Sequence, residues 1–281
     1  MEALLKQVLE SLRTYGLGDI TPHDIEGLLV GDPNTLSETV TLNEDCPGSE
    51  SKITQCAEVE TGYPRSPLYL HLAHRLQSWM SSRSLEVVAL QEFQCLNEGE
   101  RASERKNLFA ALSGDIGTLQ DLLTENNLAA STDMLILILK KLKKRGILSL
   151  LGLRNTEGSV EMLPPARSSL EKSFKQQNSA NSQLSVGARA LAKHCHRDQT
   201  ASWWGKSTGS EGAKNDHANA IMNCILDQAS WINIHCLPHS VVTLEIRCLE
   251  GYGARWTADG TSFRGFLEPQ MEDGHSVGWK H

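Results

Sequence analysis

At residue 241 the hydrophobic period of the chain changes from 3.6 to 2, and this change settles the fold class. Val242, Leu244, Ile246 and Cys248 alternate with Thr243, Glu245 and Arg247, the pattern of a strand with one apolar and one polar face. Downstream, Asp259 and Gly260 supply the positive-φ position of a hairpin tip between two further strand-like runs. Upstream, residues 186–197 and 211–229 are helical in period, the second placing Ala218, Ile221, Cys224 and Ile225 on one stripe. Helices followed by a run of strands predict an α+β chain, with a small antiparallel sheet packed by two helices.

The front of the chain is helical throughout. Leu4, Leu5, Val8, Leu9 and Leu12 form an amphipathic stripe that Gly16 stops, and Thr21, Pro22 and Asp24 are a helix start. Residues 31–63 lose all periodicity and carry seven acids against one lysine, which predicts an acidic flexible loop. Between 67 and 152 leucine-rich stripes recur five times, the pattern of a helical bundle. Within it, residues 111–123 resemble the inner-helix junction of an ankyrin repeat. No second copy follows at the repeat period, and a lone repeat cannot bury its own face. The paired short helices ending in a basic turn are similar to the helical module at the front of transcription elongation factors, a likeness that carries no residue role with it. The resulting division is amphipathic helices over 1–30, the acidic loop over 31–63, a helical bundle over 64–157, a Ser/Asn/Gln/Pro-rich linker over 158–184, and an α+β domain rich in Trp, His and Gly over 185–281.

Charge and composition narrow the function classes. The 281 residues carry a net charge of −7, which works against broad binding to nucleic acid or anionic membrane. No apolar run is long enough for a membrane span, and the first residues lack the basic and apolar regions of a secretory signal. Seven scattered cysteines, an odd number, fit reduced thiols in the cytoplasm or nucleus.

Five of the six tryptophans and seven of the ten histidines fall after residue 193, so specific function is expected there. His194, His196, His235, Cys236 and His239 are the imidazole and thiol donors that zinc would take. Their spacing matches no common module, and no cofactor motif is complete. Gly205, Lys206 and Ser207 end like a phosphate-binding loop, but Trp203 and Trp204 occupy positions where that loop needs small residues. The basic run over 140–145 reads as a helix end capped by Gly146, or as an import or docking patch. Arg247, Tyr252, Arg255, Trp256, Arg264 and Glu268 have the composition of a binding hot spot, with Glu268 and His275 the candidates for acid–base chemistry.

These observations favour a non-enzymatic adaptor or complex subunit that binds a protein partner through its C-terminal α+β domain. The alternative is a hydrolase-type enzyme using His and Glu residues of that domain, with zinc if the donors converge.

Overall fold

The computed structural model describes residues 1–32, 62–93, 96, 98–195, 203–237 and 241–270; the acidic stretch from 33 to 61 lies outside them. The architecture is α+β, with eight helices and two small antiparallel sheets among the described residues. No described helix is long and apolar enough to cross a membrane.

Five helices form the front half: α1 (Glu2–Leu12), α2 (Pro22–Leu29), α3 (Leu68–Ser82), α4 (Glu100–Thr124) and α5 (Leu128–Leu150), with a 3₁₀ turn at Leu85–Val88. The helix start at Thr21 is a full capping box: its hydroxyl accepts from the Asp24 amide, and the Asp24 carboxylate accepts from the Thr21 amide. The two leucine stripes between 108 and 123 belong to one helix, α4, which buries Phe109, Leu112, Ile116 and Leu119. Phe109 packs on Trp79 of α3, ring centroids 5.4 Å apart.

The basic run spans a break in α5: Lys143 (φ 57°, ψ −178°) is non-helical, so Lys140 and Lys141 lie in the last turn before the kink, as a helix end predicts, but Gly146 is not the cap because the helix resumes to Leu150. The Lys144 amide donates to Asp19 Oδ1 (3.2 Å), its ammonium meets Asp24 (2.6 Å), Lys141 meets Asp115 (2.7 Å), and Arg145 donates to the Leu153 carbonyl (2.9 Å). Gly146 is buried, with Leu142 and Leu108 against the position a Cβ would take. Two of these charges tie α5 to its neighbours, Lys141 to α4 and Lys144 to α2, and Arg145 fastens the segment that follows α5.

The polar stretch between 158 and 184 contains α6 (Arg167–Lys175) and the hairpin β1 (Gln177–Ser179)–β2 (Ser182–Ser185). Leu170 and Phe174 of α6 are fully buried. Next come α7 (Val186–His194), α8 (Glu211–Asp227) and a meander of four strands, β3 (Trp231–Leu237), β4 (Val241–Arg247), β5 (Gly253–Thr257) and β6 (Phe263–Leu267), hydrogen-bonded in that order. Ile234, Leu244, Ile246, Ala254 and Trp256 are buried apolar side chains of these strands, the interior face that α6, α7 and α8 pack upon. The Trp256 indole donates to the Leu170 carbonyl (3.2 Å). At the hairpin tip Gly260 has φ +73° and donates to the Thr257 carbonyl (2.8 Å), while Asp259 accepts from Thr257 and Thr261, as the Asp-Gly pair predicts.

Candidate active site

The strand alternation sends Thr243, Glu245 and Arg247 to the face away from the helices. Antiparallel register then determines their neighbours: Glu245 lies between Asn233 and Arg255, Thr243 between His235 and Thr257, and Arg247 between Trp231 and Gly253. This face is as buried as the apolar one, with Asn233, Thr243, Glu245 and Arg247 each at most 2% exposed. Such groups persist in an interior only when they satisfy one another.

Glu245 is the hub. It accepts from Arg247 Nε at 2.6 Å and Arg255 Nε at 2.8 Å, and His235 Nε2 lies 3.3 Å from its second oxygen. That imidazole nitrogen is buried and close enough to interact as a charge, yet it is not aligned for a hydrogen bond. Burial alone pushes the Glu245 carboxyl up; the nearby imidazole and the two guanidinium groups outweigh it and hold the acid well below the usual carboxylate range. Glu245 therefore carries its charge at neutral pH. Arg247 is used entirely inside the fold, since its Nη1 donates to the carbonyls of Gly251 (2.6 Å) and Glu268 (2.8 Å). Its side chain lies over Gly253, where an added Cβ would stand 2.7 Å from Arg247 Cγ and 2.2 Å from the Ile246 carbonyl oxygen. Arg255 and His235 keep contact with solvent, their side chains 27% and 19% exposed. The result is a fixed anion flanked by one half-open guanidinium and one half-open imidazole.

A second constellation sits on the helix side. His194 Nδ1, at the end of α7, lies 2.8 Å from Glu268 Oε1, and the Trp204 indole donates to Oε2 at 2.8 Å. His217 Nε2 pairs with the Trp204 carbonyl (2.8 Å), and Trp203 stacks on Tyr252 at 4.5 Å. These contacts tie the 203–204 segment to α8 and to the end of β6.

The residues proposed from sequence divide among these places. Arg255 and Trp256 do not share a groove. As neighbours on one strand they point to opposite faces, and Trp256 is wholly buried. Tyr252 is buried under Trp203. Arg264 is exposed at the point where the register slips between Arg255–Gly265 and Trp256–Phe263. Glu268 meets His194 rather than Arg255, and His275 lies outside the described residues. Of the zinc donors, His196 and His239 also lie outside them. His194 is bound to Glu268, His235 faces Glu245, and Cys236 is exposed. No group of three or more potential metal ligands occurs among the described residues. The sequence pattern puts Glu245 only on the polar face of a strand and offers His235 only as a metal donor. The signal available was a glutamate in the middle of a strand, with an arginine two residues on.

The constellation around Glu245 falls within a region similar to a known family. Residues 174–268 match the family model of the CdiA C-terminal tRNase toxin domain.

The match covers about a third of the chain, beginning in α6 and ending at Glu268. No curated protein and no solved structure matches the chain. The tRNase match overturns the expectation of a non-enzymatic, protein-binding adaptor, because it points to a nuclease; the hydrolase-type alternative fits it better. The expectation that nucleic acid is an improbable partner fails with it. The physical reason is averaging: residues 174–268 carry nine Lys and Arg against eight Asp and Glu, so the acidity of the whole chain belongs to the remainder.

Proposed function

We propose that residues 174–268 form a ribonuclease unit acting on RNA of the transfer-RNA class, with its reaction centre on the polar sheet face at His235, Glu245 and Arg255. The observation that carries this reading is the buried Glu245 carboxylate held between an imidazole and two guanidinium groups, inside the segment that matches a tRNase domain.

Phosphodiester cleavage in RNA needs a group that moves a proton near neutrality and a cation that stabilises charge building on the phosphate. Imidazole is the side chain suited to the first task, and a planar guanidinium to the second. In this reading the 2′-hydroxyl oxygen attacks phosphorus as His235 removes its proton. The P–O5′ bond breaks, the same proton returns to the departing 5′ oxygen, and a 2′,3′-cyclic phosphate remains. Arg255 binds the phosphate oxygens. Glu245 does not shuttle protons, because so acidic a carboxylate is a weak base; it orients Arg255 and keeps a negative charge beside His235. Incubating the full chain with total tRNA should give fragments ending in 2′,3′-cyclic phosphate, and His235→Asn should slow their formation by about 10²–10⁴-fold. Absence of cleavage by the wild-type chain, or cleavage by His235→Asn at the wild-type rate, would overturn the proposal.

A further inference from the structure

A cleft of about 480 Å³, its open mouth included, lies where the helical half meets the sheet, between α3, the end of α5 and the start of β3. Its lining includes His71, Arg75, Gln91, Arg154 and Ser230, and among the described residues it contains no carboxylate. Arg154 is 2% exposed. Its guanidinium lies 5.4 Å from the Phe93 ring and 5.0 Å from the Trp231 ring, its Nη1 donates to Glu98 (3.2 Å) and its Nη2 to the Ser230 carbonyl (2.7 Å). Its Nε is buried without a hydrogen-bond partner. Glu98 is shared with Arg105 and the Asn155 amide, so this one carboxylate serves two guanidinium groups. Burial brings Arg154 down to about 10, the mark of a cation short of compensating charge. A buried donor left unmade is costly and calls for a ligand. Arg75 is 4% exposed and, like His71, also engaged by other groups; its guanidinium adds positive potential to the same wall, and His71 a ring nitrogen.

We propose that this cleft is an anion site for a phosphate group, with Arg154 Nε as its buried donor. The inference is independent of the ribonuclease reading, because it rests on a different cleft and different side chains. A phosphate fits the chemistry because its several oxygens accept from a guanidinium edge and a ring nitrogen together. The source is either free phosphate or a phosphate of a nucleic acid.

The test uses the full chain and inorganic phosphate, titrated by calorimetry against chloride at matched ionic strength. Saturable one-site binding of phosphate and not of chloride is expected. Gln91→Glu, a change at an exposed position that places a carboxylate at the cleft mouth, should weaken binding tenfold or more while leaving the melting temperature in chloride unchanged. His71→Gln should weaken it less. Equal response to phosphate and chloride, or wild-type affinity in Gln91→Glu, would overturn the site. Displacement of bound phosphate by a 5′-phosphorylated oligoribonucleotide, and not by its dephosphorylated form, supports the site with RNA as the source. Saturable phosphate binding that neither oligonucleotide displaces supports it with free phosphate as the source.

Discussion

Glu245 and Glu268 are both half of a carboxylate–imidazole pair, both lie in the C-terminal sheet region, and their surroundings make them different devices. Glu245 has the guanidinium groups of Arg247 and Arg255 on it, with His235 at 3.3 Å. Glu268 has His194 and the Trp204 indole, with no arginine side chain on its carboxylate among the described residues. The first holds excess positive charge beside a solvent-touching imidazole, the combination a phosphate diester requires. The second binds its histidine into an aromatic cluster with Trp204 and Phe266 and serves to fasten α7 to the sheet. A His–Glu contact is thus not a site in itself; the next charges out decide what it can do.

The sharpest way to break this comparison is Glu245→Gln. Removing one partner of a buried charge network typically costs about 3–5 kcal/mol, so the melting temperature should fall markedly and RNA cleavage should be lost. Its pH signature has a definite sign. The folded carboxyl is held below its ordinary value of 4.5, so the stability it contributes is fully present above that value and is lost as pH falls through and below it. Denaturant melts between pH 6 and pH 3 should show the wild-type chain losing stability with acid more steeply than Glu245→Gln. Equal slopes would mean that Glu245 is not held acidic.

His235→Asn should lower the rate of cleavage by about 10²–10⁴-fold, the range for loss of a proton-transfer group. Melting should change little, because the imidazole is partly exposed and its Nε2 makes no hydrogen bond. Arg255→Lys keeps the charge and loses the planar fork, so the rate should fall by about 10–100-fold with the fold intact; full activity would remove Arg255 from the phosphate site. The smallest effect belongs to the other pair. Glu268→Gln still accepts from the Trp204 indole, so activity should stay within about threefold of wild type and stability should drop by about 1 kcal/mol. A rate loss there as large as in His235→Asn would reverse the roles assigned to the two carboxylates.

Much of this architecture can be read without coordinates because it depends on neighbours in sequence. Thr21 and Asp24 cap α2 from three residues apart, Asp259 and Gly260 turn the hairpin, and the alternation from Val242 to Cys248 sorts side chains to two faces. The same period forbids a shared groove for Arg255 and Trp256. The contacts of Lys144, beside the kink at Lys143, are by contrast with Asp19 and Asp24, more than a hundred residues earlier. The pairing of His235 with Glu245 depends on strand register, and that of Glu268 with His194 on how α7 lands on β6.

By itself, the sequence determined the α+β class, the strand faces and the turn chemistry, since period, caps and positive-φ residues act over a few positions. Tertiary structure alone decided that both faces of the sheet would be buried, that Glu245 would gather an imidazole and two guanidinium groups, and that Arg154 would share Glu98 with Arg105 at the wall of a cleft. Those are matters of desolvation and long-range charge placement, and a linear pattern carries neither.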